Sequence, residues 1–164
     1  MATGDIRPYN TGGLSDVPVW TWQTEAGGTA INAGEPVKLD SAGSPYVIPF
    51  ADGDLTIGTD TAMIGVTANA SDHTASADGS VDVYMPMPGT VWAMKATTPA
   101  NVDTQAEIDA LRGDRVVMNL AAGVYTLDEN AGDAATSAFY ILNGDPATGE
   151  LFFNIRVDAT YLGA

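Results

Sequence analysis

Few residues in this chain could run chemistry. The single histidine, His73, sits in Asn69-Ala70-Ser71-Asp72-His73-Thr74, a run of small polar residues. General-base and nucleophilic catalysis need a tuned base held beside the reacting group. Ser71, Asp72 and His73 supply the residue types of a triad, but consecutive residues cannot take triad geometry. His73 therefore reads as a solvated loop residue. The chain has no cysteine, which removes disulfides, thiolate nucleophiles and most structural zinc sites. It has no Walker loop and no dinucleotide fingerprint, so no cofactor is implied. Among 21 acids, no two stand out as a glycosidase pair. Two acidic clusters carry the hard oxygens that calcium takes: Asp52-Gly53-Asp54 with Asp60, and Asp128-Glu129-Asn130 with Asp133. Neither has EF-hand spacing, and such runs are ordinary turn chemistry. No catalytic or metal residue is assigned. The expectation is a non-enzymatic structural or binding protein.

Charge narrows the partners. Six Lys and Arg stand against 21 Asp and Glu, a formal net charge of -15. Residues 1–82 carry 11 acids and 2 bases, and residues 83–164 carry 10 and 4. Neither half can build a basic footprint, so no nucleic-acid partner is expected. Anionic membrane surfaces are disfavoured for the same reason. The acid serves solubility, or attraction to a basic patch on a partner. Met1-Ala2-Thr3-Gly4-Asp5 lacks the basic and apolar regions of a signal peptide. No apolar run reaches the about 18 residues of a membrane span. The expectation is synthesis in a cytoplasm, with no membrane insertion.

The elements that must position any function are short strands. Residues 1–16 read as an extended arm, interrupted by Gly4, Pro8, Asn10, Gly12 and Gly13. Val17–Trp22 alternates as a strand, with Pro18 favouring an edge or a strand start. A hairpin runs through Val37–Asp40 and Pro45–Phe50. Further strands are expected at Thr61–Thr67, Val81–Met85, Gly89–Lys95, Arg115–Leu120, Val124–Leu127, Ala138–Leu142 and Glu150–Val157. Asn143-Gly144-Asp145-Pro146 reads as a turn. One helix is expected over 104–112, with Asp103 as N-cap, Glu107 in its early turns, Ile108 and Leu111 on one face, and Gly113 as stop.

The fold class is therefore all-β with one short helix: a sandwich or barrel of short antiparallel strands. The arm precedes a single β-rich domain over 17–164, with a helical linker near 103–113. One internal echo is present. Gly34-Glu35-Pro36-Val37-Lys38-Leu39 is answered by Gly113-Asp114-Arg115-Val116-Val117-Met118, and Ala-Gly turns follow at Ala42-Gly43 and Ala122-Gly123. It reads either as the small menu of turn chemistry or as a duplication.

Apolar anchors at wide spacing mark candidate partner-binding residues. Ile6, Arg7, Tyr9 and Leu14 punctuate the arm and suit a groove supplied by a neighbour. Trp20 and Trp22 share one strand face, and with Trp92 they could line a sugar platform. Met85 and Met87 lie in Met85-Pro86-Met87-Pro88, an apolar strip that cannot continue a sheet and suits an interface.

Residues 31–95 resemble the head decoration (cement) proteins of tailed phages. The shared features are the opening Ala33-Gly34-Glu35-Pro36-Val37, the step Ile64-Gly65-Val66, an acidic loop, and an alternating strand that ends in Gly89-Thr90-Val91. The N-terminal arm also fits such proteins. The resemblance implies a homotrimer on the outer capsid surface of the virion, bound non-covalently to the major capsid protein. The alternatives are another virion part (tail, neck or fibre) and a carbohydrate-binding or adhesion β-module.

Overall fold

The computed structural model describes residues 6–10, 16–51, 62–131 and 135–161. As expected, the fold is mainly β, with two antiparallel sheets and one short helix, and neither sheet is a closed barrel. The strands are β1 (Arg7–Asn10), β2 (Val19–Thr24), β3 (Pro36–Leu39), β4 (Val47–Pro49), β5 (Met63–Thr67), β6 (Gly79–Tyr84), β7 (Val91–Lys95), β8 (Arg115–Ala121), β9 (Val124–Asp128), β10 (Phe139–Asp145) and β11 (Glu150–Ile155). The helix α1 (Gln105–Leu111) lies between β7 and β8. One sheet has the order β2-β6-β5-β3-β4, and the other β1-β7-β11-β10-β8-β9.

With β1 set aside, the two orders are the same topology written twice. Strands β2 to β6 of the first sheet correspond in sequence to β7 to β11 of the second. The register agrees residue by residue. Val37 pairs with Gly65 and Pro36 with Val66, as Val116 pairs with Phe139 and Arg115 with Tyr140. Thr67 pairs with Val83, which pairs with Trp20, and Ile141 pairs with Phe153, which pairs with Trp92. The echoed glycines start both repeats in the same way. Gly34 N–H donates to Thr67 O, and Thr67 N–H donates to Glu35 O, at 2.9 Å each. Gly113 N–H donates to Ile141 O at 2.9 Å, and Ile141 N–H donates to Asp114 O at 3.0 Å. Both glycines stand at positive φ, 85° and 94°, where a side chain would be strained. The echo is thus one of structure as well as of turn residues.

Within each repeat the five strands curl until the first and last come together at one bridge. An isolated parallel bridge joins Gln23 to Tyr46 in the first, and another joins Ala96 to Leu127 in the second. The inward face of the first sheet holds a small core of Ile31, Val37, Val47, Ile64, Val81 and Val83. The inward face of the second is larger, with Trp92, Phe139, Phe153, Leu151, Val116 and Leu127, and α1 adds Ile108. Val17, Phe50, Met63 and Val66 of the first repeat join this larger core, so the repeats share one interior. Where the second repeat has Phe139, the first has Gly65. A Cβ there would collide with the Tyr84 carbonyl oxygen and a Val83 methyl.

Three expectations are corrected. Residues 7–10 of the arm form β1, paired with β7, and the preceding Ile6 is 2% exposed in the shared core. The arm buries this anchor against its own domain, because β7 would otherwise be an open edge beside the large core. The N-cap of α1 is Thr104, not Asp103: Thr104 and Glu107 form a reciprocal capping box that satisfies two helix-end donors. Asn143, Gly144 and Asp145 continue β10, and the chain turns over 146–149 instead. The Asp145 carboxylate holds that turn by accepting from Ala147 N–H and Thr148 Oγ1, both at 3.0 Å.

Ile6→Ala should lower stability by about 2–4 kcal/mol, the cost of a cavity in a filled core, read from urea unfolding midpoints. By the same argument, removing residues 2–14 should depress the melting curve rather than leave it unchanged.

A latch fixes the edge contact of the first sheet. Tyr46 Oη donates to Asp78 Oδ2 at 2.9 Å, and Ala26 N–H donates to Asp78 Oδ1 at 2.9 Å. The Ala26 N–H and then the Tyr46 hydroxyl hold the Asp78 carboxyl below its usual range. The hydrogen bond to Asp78, reinforced by its charge, raises the Tyr46 phenol. The depressed Asp78 stabilises the fold at neutral pH, and this is lost as pH falls through its folded value. The raised Tyr46 stabilises below the ordinary phenol range, and this is lost as pH climbs through its raised value. In an ultraviolet titration, Tyr46 should ionise later than a free phenol. Asp78→Asn should bring it back toward the ordinary range.

Candidate functional site

The residues expected to bind a partner divide by burial. Ile6 and Met85, at 2% and 1% exposure, are interior residues of this chain. Met85 N–H donates to Pro18 O at 2.8 Å, which fastens the strip to the strand start before β2. The expectation of an interface strip is therefore corrected at Met85: its side chain is buried in the interior where β6 leaves the sheet. Met87 is half-buried. Leu14 lies outside the described residues. Arg7 is exposed, yet pairs with Glu150 within the same chain at 2.6 Å. Tyr9 is exposed on one side, and on the other it stacks on Phe152 with ring centroids 4.0 Å apart.

Trp20 is the clearest surface anchor. It lies on the outermost strand of the first sheet and is 52% exposed, with Val19 exposed beside it. Trp22 is half-buried and meets the edge of Tyr161, with ring centroids 6.0 Å apart. Trp92 is fully buried. The three indoles do not make one open platform.

The polar candidates prove to be fasteners between loops. Ser71 Oγ accepts from Ile31 N–H at 3.1 Å, Asp72 accepts from Ser80 N–H, and His73 Nε2 lies 3.1 Å from Gly28 O. Each holds a different backbone group, so the three do not converge. His73 is half-buried over the loop it holds, rather than solvated as expected.

Glu129 is 6% exposed, and its carboxylate is fully engaged. It accepts from Thr97 N–H at 3.0 Å, Thr98 N–H at 3.1 Å, Asn101 Nδ2 at 3.1 Å and Asn130 Nδ2 at 2.8 Å. These donors organise the stretch from the end of β7 to the 3-10 turn at Pro99–Asn101. The second acidic cluster thus spends its central carboxylate on backbone and side-chain amide donors, and its Asp133 lies outside the described residues. Asp52, Asp54 and Asp60 lie outside them too. Among the described residues, no group of three His, Asp or Glu side chains could hold a metal ion, and no helix is long and apolar enough to cross a membrane.

Sequence reasoning missed the Tyr46–Asp78 latch and the role of Glu129. Both join residues about thirty positions apart, and nothing local to either partner signals them. With the geometry in view, comparison with models of known protein families and with curated proteins finds no match to this chain.

Glu129→Ala should cost about 2 kcal/mol or more, because it strands several donors in a nearly buried site. Calorimetric melting of the variant checks this.

Proposed function

We propose that this chain is a structural virion protein, a decoration protein that sits on the outer surface of a tailed-phage head as a homotrimer and stabilises the shell of major capsid protein. The observation that carries this reading is the resemblance over 31–95. Its motif residues occupy structural steps of the first repeat and the entry to the second: Gly34 starts the β3 pairing, Ile64-Gly65-Val66 lies in β5, and Gly89-Thr90 leads into β7. Physical chemistry supports the same reading. A net charge of -15 suits a surface turned away from packaged DNA. Val19 and Trp20, exposed on an edge strand, are suitable contacts for a protein partner.

A sugar-binding module would be better served by Trp20, Trp22 and Trp92 on one open face, and the burial of Trp92 weighs against that arrangement.

Cryo-electron microscopy of purified particles tests the proposal. The expected result is three-fold density for this chain on the head exterior, and earlier thermal rupture of heads that lack it. Density confined to the tail or neck, or particles without the chain, would overturn it.

A further inference from the structure

The internal repeat exposes an asymmetry at the two equivalent edges. In the second repeat, β7 is covered on its outer side by β1, with Pro8 beside Trp92. In the first repeat β2 occupies the place of β7, and among the described residues its outer side carries only the isolated bridge from Gln23 to Tyr46, which leaves Val19–Thr21, the counterparts of the β7 residues that β1 covers, without a strand partner there. Trp20 and Trp92 occupy the same rung of the two sheets, yet one is 52% exposed and the other 0%. β2 (Val-Trp-Thr-Trp-Gln-Thr) also carries no charge, the feature by which open edges are commonly protected from pairing.

We propose that β2 is a strand-acceptor edge, which takes an extended segment of a partner protein in the way that β7 takes β1. The counterpart residues define the partner's chemistry. An apolar side chain in the place of Ile6 would cover the inward face that Trp20 shares with Val83. The next requirement differs between the repeats. Tyr9 stacks on Phe152, and the residue equivalent to Phe152 in the first repeat is Asp82. Asp82 accepts from Thr21 Oγ1 at 2.7 Å and Asn69 Nδ2 at 3.1 Å, and no cation among the described residues pairs with it. A carboxylate beside an open edge selects a basic residue at the position where β1 has Tyr9. The occupant is therefore a basic and apolar segment of a different protein. The chain's own Ile6-Arg7-Pro8-Tyr9-Asn10 places an aromatic ring where β2 calls for a cation. The inference does not depend on the capsid reading, because it concerns one edge and its ligand chemistry.

The probe is a synthetic peptide of residues 4–12 of this chain carrying Tyr9→Arg, titrated into the whole protein and followed by NMR at the tryptophan indole N–H signals. Saturable shifts are expected at Trp20 and not at Trp92. Binding should weaken about tenfold when the peptide carries Tyr9→Glu, and about as much in protein carrying Trp20→Lys or Asp82→Asn. Melting curves of both variants show that the fold is intact. No saturable shift, or equal binding by the Arg and Glu peptides, would overturn the proposal. So would shifts centred on Trp92, which would mean exchange with β1. Self-association of the free protein that disappears in Trp20→Lys would overturn it in favour of a second copy as the occupant.

Discussion

The fold depends on a two-hydrogen-bond clasp that appears twice. Gly34 and Glu35 exchange bonds with Thr67, and Gly113 and Asp114 exchange bonds with Ile141. Each clasp docks a hairpin, β3–β4 or β8–β9, onto the strand that follows it in sequence. Strands of three to seven residues make few ladder bonds each, so a slipped register would turn the apolar set outward. The glycine removes that freedom at the point where pairing begins. Everything inward of it follows from alternation: Val37 and Val116 then point into their sheets, opposite Gly65 and Phe139.

Two small curled sheets cannot each enclose much apolar area, and the repeats resolve this unequally. The second collects the large side chains, the helix and β1. The first keeps a narrow core and lends Val17, Phe50, Met63 and Val66 to its neighbour. Several bonds tie the halves where they meet. Ile6 N–H donates to Gly34 O at 3.1 Å, Tyr125 Oη to Phe50 O at 2.6 Å, and Tyr161 N–H to Met63 O at 2.8 Å. Residues near both ends of the described chain thereby return to the first repeat.

Much of this was legible in the sequence because strand alternation and turn residues are local signals. Every strand from β2 to β11 falls where apolar alternation and Gly, Pro, Asn or Asp punctuation put it, within a few residues. The short helix is also in place, one residue shorter at each end than expected. The strand that escaped notice is β1. Arg7-Pro8-Tyr9-Asn10 has no alternation, and its partner β7 is more than eighty residues away. The echo of Gly34 in Gly113 was visible, but the sequence left open what it meant; matching registers resolve it as a repeated architecture. The surface was less legible than the fold. Met85 and Trp20 look alike as apolar residues within two positions of a proline, and only the sheet order separates a buried end from an open edge.

The Gly65 and Phe139 difference bears on how such a chain finds its own partners during folding. Two units with the same strand order in one polypeptide can exchange strands, since each ladder has a competitor in the other unit. Suppose β10 were laid against β6 in place of β5. A phenyl ring would then arrive where the Tyr84 carbonyl and a Val83 methyl leave no room even for a Cβ. Suppose instead β5 were laid against β11. A glycine would then leave a hole beside Phe153, where Phe139 packs edge-on at 5.2 Å. Both exchanges are penalised, one by overlap and the other by emptiness. One site of unlike size thus helps each half recognise its own strands.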